Sequence, residues 1–356
     1  MIIPPRPVHG MAALVLIGAL CAAIPASGCT AFSCTSGGVT IAAKNYDWTL
    51  GDGLIMVNQR GVSKTLRVIP DAQSPRWVSR YGSVTFNQYG RDLPQGGMNE
   101  AGLVAEVLWL QGTEYPADDE RDDVGCSQWV QYQLDTAATV EEVVASCVRI
   151  QIRAQVPLHF FVADRNGHTA SMEFLDGREV FHFGSDMPAE VLTNSPYAVS
   201  LTYLQAWESR HEVPPSSSGS LDRFVRCASM VTAPDETDDP VAFGFGVLDA
   251  VAQAGLTQWR IIYDQTHLVA HVRTRECPVV RTIAFDTLDF TCGQPIAIAD
   301  MGDPNTGNGE SWRPYSSRDN LDLVTRAYRG TPFLSSVPES LYAVIAAYPD
   351  HSHCAP

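Results

Sequence analysis

The segment CTAFSCTSGGVTIAAKNYDW, residues 29–48, has the pattern of two β-strands joined by a tight turn. Residues 30–36 and 39–44 are rich in the β-branched and apolar residues that favour strands. Between them, Gly37-Gly38 suits a two-residue hairpin loop, because glycine tolerates the positive φ angles that such loops require. The spacing predicts a β-hairpin in which Cys29 lies across from Tyr46.

Three reactive side chains gather at the open end of this hairpin. Lys44 shares a face with Cys29, and Asp47 stands at the end of the second strand. A thiolate is the nucleophilic form of cysteine, and a neighbouring cation favours it. If the chain is cut before Cys29, the new α-amine can act as the base. Period-two alternation points Asp47 to the opposite face, so we expect a bulge or the strand end to turn it.

The first 28 residues have the pattern of an export signal. Arg6 precedes an apolar run over residues 11–24 that is too short to span a bilayer, and the segment ends in the small residues Ala26-Ser27-Gly28. We therefore predict a signal peptide over residues 1–28 and an exported protein, either periplasmic or secreted. Residues 29–356 are predicted to form a single domain that begins with Cys29.

Two other roles for Cys29 stay open. The chain has nine cysteines, of which Cys21 belongs to the predicted leader. Cysteines of exported proteins usually form disulfides, and their pairing cannot be derived from sequence. Residues 26–29 also loosely resemble a bacterial lipobox, in which the cysteine sulfur carries a lipid. A lipidated Cys29 would make the protein a tethered binding protein without catalytic activity.

The composition excludes several classes of protein. Hydrophobic residues make up 45% of the chain, and the formal net charge is -16. These values suit a globular core and disfavour a protein that binds nucleic acid by neutralising phosphates. No Cys-x-x-Cys pair is present, and Gly244-Phe245-Gly246 lacks the third glycine of a dinucleotide motif. We expect neither a metal nor an organic cofactor.

The remaining pattern indicates an α+β fold with mostly antiparallel strands. Residues 126–152 have helical spacing, and Thr139 is placed to cap a helix. Acidic residues 114–123 predict a surface loop, as do residues 214–220, and the tail after His351 is predicted to be frayed. Short β-rich runs separated by turn residues predict antiparallel meanders over residues 157–183, 259–272 and 279–290.

Five short motifs follow one another along the chain. They are Cys29-Thr30, Lys44-Asn45-Tyr46-Asp47-Trp48, Gly97-Met98-Asn99-Glu100-Ala101-Gly102-Leu103, Thr193-Asn194-Ser195-Pro196 and Asp222-Arg223-Phe224-Val225-Arg226. Their order resembles that of the choloylglycine hydrolase and penicillin V acylase family, and the resemblance is clearest over residues 29–300. It points to the exported Gram-negative branch of that family.

The resemblance implies an N-terminal nucleophile hydrolase. Such enzymes are four-layer αββα sandwiches that cleave linear C–N amide bonds. At the matching positions, Cys29 would be the nucleophile and, through its α-amine, the base, while Asp47 would orient that amine. Asn194 would donate its side-chain amide to the oxyanion, and Arg223 would belong to the surrounding charge network.

Two positions depart from the commoner family pattern. Lys44 stands where arginine is common, which keeps the positive charge but loses the planar guanidinium. Trp109 stands where bile-salt-cleaving members commonly carry asparagine, and tryptophan here is similar to the acylase branch. Its backbone N–H would be the second oxyanion donor, and its ring would line an acyl pocket.

The resemblance favours an N-acyl amide with an aromatic or fatty acyl group as the substrate. Phenoxyacetyl penicillin and acyl-homoserine lactones are examples, and conjugated bile salts or acyl transfer through the same thioester are alternatives. We expect a small-molecule partner, no nucleic acid, and no membrane association after the signal is removed. Members of the family are often tetrameric, which is compatible with a homo-oligomer. Beside Trp109, the residues expected to line the pocket are Leu108, Leu110, Phe32 and Tyr46.

Overall fold

The computed structural model describes residues 28–65, 75–117, 119–232, 239–307 and 311–356. The predicted signal peptide, apart from Gly28, lies outside these residues. Within the described ranges, no helix combines the length and the apolar character that crossing a membrane requires.

Strands outnumber helices in the described chain. The strands are β1 (Thr30–Ser36), β2 (Val39–Asp47), β3 (Leu54–Asn58), β4 (Val62–Thr65), β5 (Arg76–Val78), β6 (Ser83–Asn87), β7 (Pro94–Asn99), β8 (Val104–Trp109), β9 (Asp122–Val124), β10 (Ile150–Ile152), β11 (Leu158–Ala163), β12 (Thr169–Leu175), β13 (Arg178–Phe183), β14 (Val191–Leu192), β15 (Thr257–Asp264), β16 (Val269–Thr274), β17 (Arg281–Ala284), β18 (Ala297–Asp300), β19 (Arg313–Pro314) and β20 (His353–Cys354). The helices are α1 (Cys126–Thr136), α2 (Val140–Ser146), α3 (Tyr197–Glu208), α4 (Ser220–Val231), α5 (Pro240–Ala250), α6 (Ser317–Gly330) and α7 (Glu339–Ala347).

Two antiparallel sheets form the centre of the fold. One has six strands in the order β14-β1-β2-β15-β16-β17, and the other has nine in the order β13-β12-β11-β8-β7-β6-β3-β18-β19. Both are antiparallel throughout, whereas the small pair β9 and β10 is parallel. The hydrophobic core between the large sheets includes Ala42 of β2 and Leu108 of β8, both almost fully buried.

Helices cover the outer faces of both sheets. Helices α4 and α5 pack on β1, β2 and β15, and α3 packs on α4. On the other side, α1 packs on β7 and β8, and Leu323 of α6 joins Leu54 and Met56 of β3. The layers are therefore helix, sheet, sheet and helix, which is the αββα sandwich that the family resemblance implies.

The hairpin predicted from residues 29–48 is confirmed in its register. Thr30 pairs with Asn45 and Ser36 pairs with Val39. Gly37 and Gly38 have φ angles of 58° and 79°, which a side chain would strain. The meander over residues 157–183 is also confirmed, with turns between β11 and β12 and between β12 and β13.

The helical character predicted for residues 126–152, with Thr139 as a cap, is confirmed for α1 and α2 and is wrong for residues 150–152. Helix α1 ends at Thr136, and the Thr139 hydroxyl accepts a hydrogen bond from the Glu142 N–H (3.3 Å) at the start of α2. Residues 150–152 form β10, which pairs with β9 at the end of the acidic stretch predicted to be a loop. This long-range pairing overrides the helical spacing, because the β-branched residues of β10 fit a strand.

The antiparallel meander predicted over residues 259–272 and 279–290 is confirmed, since β15 pairs with β16 and β16 pairs with β17. Strand β17 covers only Arg281–Ala284 of the second range, and a short 3-10 helix follows it. The tail predicted to be frayed is held, because β20 pairs with β4 and Cys354 forms a disulfide with Cys292. The remaining described cysteines, Cys29, Cys34, Cys126, Cys147, Cys227 and Cys277, have free thiols.

Candidate active site

Cys29 lines an apolar cavity with a volume of about 290 Å³. The cavity wall combines the end of the hairpin, strand β8, the start of α1 and the segment that follows α6. Such a cavity, mostly apolar with a few polar groups at one end, is typical of a small-molecule site. Among the lining residues are Tyr46, Trp48, Trp109, Cys126, Tyr328 and Phe333.

Three aromatic rings form one wall of the cavity. The ring centroids of Trp48 and Trp109 are 5.9 Å apart, and Phe333 lies 6.3 Å from the first and 5.7 Å from the second. These distances are those of packed aromatic pairs. Leu108 and Tyr46 also line the cavity.

Two of the expected pocket residues do not lie there. Phe32 and Leu110 are both fully buried, Phe32 in the core around β1, and neither lines the cavity. The expectation was wrong because the apolar character of a residue does not say which side of a sheet it faces or which side carries the cavity.

The Cys29 thiol lies in a low-dielectric environment, with 5% of the residue exposed. Burial raises the pKa of the thiol to about 11, and the carboxylate of Asp47 acts in the same direction. The charges of Lys44 and Arg223 and a hydrogen bond from the Asp47 backbone N–H act against this rise. The neutral thiol therefore predominates at physiological pH while Cys29 remains joined to Gly28.

Asp47 is held by residues from the other end of the chain. Thr257 donates its hydroxyl to Asp47 Oδ1 (2.5 Å), and Gln253 donates its amide to Asp47 Oδ2 (2.7 Å). The same Gln253 nitrogen donates to the Gly28 carbonyl (2.5 Å). Burial raises the pKa of the Asp47 carboxyl, against the effect of these hydrogen bonds and of Arg223.

The irregularity expected near Asp47 lies on the neighbouring strand. Asp47 is the last residue of β2 and pairs with Thr257, whereas Tyr46 pairs with Trp259. The register shift between these two pairs leaves Gln258 as the extra residue in β15. It brings Thr257 to the Asp47 carboxylate, while the backbone N–H of Asp47 points to the Cys29 sulfur.

Arg223 connects the cysteine strand to Asn194. Its Nη1 donates to the Cys29 carbonyl (2.8 Å) and to the Thr30 hydroxyl (2.6 Å), and its Nη2 donates to Asn194 Oδ1 (2.8 Å). Only 2% of Arg223 is exposed, and burial lowers the pKa of its guanidinium. Helix α4 thus places a buried cation between two predicted site residues, Cys29 and Asn194.

Arg223 also orients the Asn194 side chain. Because Arg223 occupies Oδ1, the amide nitrogen must point the other way, and Nδ2 donates to the Trp109 carbonyl (2.7 Å). The second N–H of Nδ2 makes no further hydrogen bond to the described residues. Trp109 contacts this group through its carbonyl, whereas the family resemblance implies a role for its N–H.

Gly28 occupies the space between Asn194 and Arg223. A Cβ atom on Gly28 would lie 2.3 Å from Asn194 Oδ1 and 2.6 Å from Arg223 Nη2, which is too close for any side chain. A larger residue at position 28 would therefore have to displace the side chains of Asn194 or Arg223.

Lys44 reaches across to the facing sheet. Its ammonium forms an ion pair with Glu106 of β8 (2.6 Å) and donates to the Gln95 carbonyl (2.7 Å). Both charged side chains are 1% exposed. The charge of Lys44 is thus close enough to influence the Cys29 thiol, but the ion pair with Glu106 offsets part of it.

The structure brings together most of the predicted site residues. Direct hydrogen bonds connect Cys29, Arg223, Asn194 and Trp109, and Gln253 connects the Gly28 carbonyl to Asp47. Among the described residues, one group could offer three ligands to a metal: Glu141, Asp164 and His168. None of these three lines the cavity.

Sequence reasoning missed Gln253, Thr257, Glu106 and Phe333. Glu106 had a signal, because it is the one charged residue in the apolar stretch LVAEVLWL, residues 103–110. A buried acid in such a strand needs a partner. The other three had none, since their contacts depend on how distant parts of the chain pack.

Comparisons with known proteins identify the family. Residues 29–244 match the model of the linear amide C–N hydrolases of the choloylglycine hydrolase family. Penicillin V acylase of Pectobacterium atrosepticum is 34% identical over 280 residues, which are 65% of this chain and 73% of that protein.

Solved structures show the same fold. Penicillin V acylase from Agrobacterium tumefaciens has a TM-score of 0.70 and 28% identity, with 81% of this chain and 98% of that chain covered. A variant of the conjugated bile acid hydrolase from Clostridium perfringens has a TM-score of 0.64 and 18% identity, with 75% and 95% covered. The chain therefore belongs to the choloylglycine hydrolase family of linear amide C–N hydrolases.

Proposed function

We propose that this protein is an exported acylase that hydrolyses N-acyl amides with an aromatic or fatty acyl group, using Cys29 as an N-terminal nucleophile. The observation that carries the proposal is that Cys29 lines an apolar cavity and is hydrogen-bonded through its carbonyl to Arg223, which also binds Asn194. A nucleophile, an amide donor and an apolar acyl site are the three parts that such a reaction needs.

The reaction begins after residues 1–28 are removed, which frees the α-amine of Cys29. The amine takes the thiol proton as the sulfur adds to the substrate carbonyl. The free N–H of Asn194 Nδ2 donates to the resulting oxyanion, whose collapse breaks the C–N bond as the amine passes the proton to the leaving nitrogen. Water, deprotonated by the same amine, then attacks the thioester, releases the carboxylic acid and restores the thiol.

Asp47 has a positioning role in this proposal. Its carboxylate is already held by Thr257 and Gln253, and Gln253 also binds the carbonyl of the residue that is removed. Once Gly28 has left, the Cys29 ammonium or amine is the natural donor to the Asp47 carboxylate. A fixed carboxylate beside the amine holds its lone pair toward the sulfur.

The acyl preference follows from the aromatic wall. Trp48, Trp109 and Phe333 offer flat apolar surfaces to an acyl group attached at Cys29. Each buried CH₂ contributes about 0.8 kcal/mol, or roughly a fourfold change in kcat/KM. A series of acyl-homoserine lactones should therefore gain about fourfold per added CH₂ until the cavity is full, and phenoxyacetyl penicillin should also be cleaved. Conjugated bile salts are the comparison substrates.

The decisive experiment compares Cys29→Ala with Cys34→Ala. Both cysteines lie at or on β1 and both are buried and free, but only Cys29 lines the cavity. We expect Cys29→Ala to lower kcat for phenoxyacetyl penicillin by at least about 1000-fold while the protein stays folded. Cys34→Ala should keep its activity. Equal turnover in the two variants would refute the assignment of the nucleophile.

The intact mass of protein expressed from the whole chain in an exporting bacterium tests the N-terminus. A mass that corresponds to residues 29–356 supports both export and a free Cys29 amine. A mass that includes a lipid, or a start at another residue, would contradict the mechanism. Full release of the acid without an added acceptor separates hydrolysis from acyl transfer.

A further inference from the structure

A buried cluster of three side chains lies between the two sheets beside the cysteine strand. It consists of Lys44 on β2, Glu106 on β8 and Tyr263 on β15, each at most 1% exposed. Lys44 Nζ lies 2.6 Å from Glu106 Oε2, and the Tyr263 hydroxyl donates a hydrogen bond to Glu106 Oε1. Both oxygens of the carboxylate are therefore occupied.

The nine-stranded sheet makes room for this carboxylate. Gly96 of β7 pairs with Glu106 across the sheet. A Cβ atom on Gly96 would lie 1.8 Å from Glu106 Oε2, so any side chain there would displace the acid. The next residue back, Gln95, supplies the carbonyl that accepts the second hydrogen bond from Lys44 (2.7 Å). The local backbone is thus built around the ion pair.

The cluster adjoins the nucleophile through the hairpin register. Lys44 pairs with Ala31, and side chains two residues apart share a face of the sheet, so Lys44 and Cys29 lie on the same side. The charge of Lys44 is the strongest influence that opposes the burial of the Cys29 thiol. Any change in the protonation of Lys44 therefore reaches the nucleophile.

A lysine in this position needs a counter-charge more than an arginine would. A buried lysine without a partner loses its proton easily, since burial disfavours the charged form, whereas a guanidinium stays protonated. Within the described part of the chain, Glu106 is the carboxylate that forms an ion pair with Lys44.

We propose that Glu106 is a positioning residue that keeps the Lys44 ammonium protonated and fixed beside Cys29. This inference rests on the proposed function of Cys29 and adds to it the reason why a lysine serves at this position. Tyr263 supports Glu106 by donating to its second oxygen. The ion pair also joins β2, which ends at Asp47, to β8, which ends at Trp109.

Charged and titratable groups from several elements face the thiol. They are Lys44, Tyr46 and Asp47 on β2, and Arg223 on α4. Glu106 and Tyr263 stand behind Lys44. Of these, only the lysine forms an ion pair with Glu106, so removal of Glu106 should act on the thiol through Lys44.

The test is the rate at which iodoacetamide alkylates Cys29 between pH 5 and pH 10 in the processed protein, which begins at Cys29, followed by peptide mass. For Glu106→Gln we expect the midpoint of the pH profile to rise by at least about one unit, which is a tenfold loss of rate at pH 7. The plateau rate at high pH should be unchanged. In hydrolysis of phenoxyacetyl penicillin, kcat should fall while KM stays the same, because Glu106 does not line the cavity.

Two further variants decide whether Lys44 is the intermediary. Lys44→Arg combined with Glu106→Gln should restore the midpoint, because the guanidinium stays charged without the acid. Glu173→Gln is the matched control, since Glu173 is a fully buried acid of the same sheet that binds His159 and the Tyr197 N–H. It should leave the midpoint in place.

An unchanged or lowered midpoint in folded Glu106→Gln, or no restoration by Lys44→Arg, would overturn the inference. If Glu106→Gln does not fold, Tyr263→Phe replaces it, because it retains the charge and removes one hydrogen bond. For Tyr263→Phe we expect the rate of Cys29 alkylation at pH 7 to fall roughly threefold. An unchanged rate would also overturn the inference. A wild-type protein that neither hydrolyses amides nor is alkylated at Cys29 would instead refute the proposed function.

Discussion

Replacing Arg223 by lysine tests how much of the site depends on a planar cation. The guanidinium makes four hydrogen bonds: to the Cys29 carbonyl, the Thr30 hydroxyl, Asn194 Oδ1 and, through Nε at 3.1 Å, the Ser218 carbonyl. A lysine has one nitrogen at the end of a flexible chain, so it cannot reach acceptors on different sides of the fork.

The size of the effect follows from the bonds that are lost. We expect at least two of the four to be lost, and hydrogen bonds to charged groups contribute about 1.5 to 3 kcal/mol each. The free energy of unfolding should therefore fall by about 3 to 6 kcal/mol. Asn194 loses the partner that orients its amide, so kcat should fall about 10- to 100-fold, which is less than the loss expected when an oxyanion donor is removed.

The assay measures kcat and KM for phenoxyacetyl penicillin together with urea unfolding. KM should change little, because Arg223 does not line the cavity. Arg226→Lys is the control on the same helix, since Arg226 binds backbone carbonyls at Ala250 and Ser217 and has no contact with Asn194. If Arg223→Lys is destabilised but keeps its kcat within about twofold, Arg223 is only structural and the reasoning is refuted.

Three other changes have defined outcomes. Asn194→Ala should lower kcat by about 100- to 1000-fold with little change in thermal unfolding, measured beside Ser195→Ala as the control. Replacing both Cys292 and Cys354 by serine should lower the free energy of unfolding in urea by up to about 4 kcal/mol, because the bond closes a loop with a separation of 62 residues. Burial raises the pKa of Glu190 from 4.5 to about 7, so its stabilising contribution is complete below pH 4.5 and is lost as the pH rises through 7. Glu190→Gln should remove this part of the pH dependence in urea titrations at pH 4.5 and 8.

Each of these three predictions has a result that would contradict it. A kcat for Asn194→Ala equal to that of Ser195→Ala would remove Asn194 from the oxyanion site. An unfolding curve unaffected by loss of the disulfide would mean that the tail is held by its other contacts alone. Parallel pH profiles of stability for Glu190→Gln and the wild type would show that Glu190 titrates normally.

The hairpin could be predicted from sequence because its determinants are local. Gly37-Gly38 defines the turn, and the turn defines the register that places Cys29 across from Tyr46. The family motifs added the sandwich and the candidate residues. Asn194 and Arg223, which are 29 positions apart, were expected at one site only through that resemblance, and they form a hydrogen bond.

The remaining parts depend on long-range packing that leaves no local pattern. Thr257 reaches Asp47 because β15 pairs with β2 and carries a bulge, and neither the pairing nor the bulge follows from alternation. Phe333 contacts Trp48 from a segment that is more than 280 residues away in sequence. Glu106 was the exception, since an acid in an apolar strand indicates that it has a buried partner, although the sequence does not show which residue that partner is.

The cavity wall has a consequence for how such enzymes diversify. Tyr328, Phe333 and Ile345 line the cavity, and all three lie beyond residue 244, where the match to the family model ends. The groups that would carry out the reaction and part of the surface that would select the acyl chain are thus encoded in separate stretches of the gene. A recombination event that exchanges the chain after β17, from residue 285 onward, would change the preferred substrate and leave Gln253 and Thr257, which hold Asp47, in place. Cys292 and Cys354 both lie within that segment, so the exchanged segment would carry its own disulfide bond.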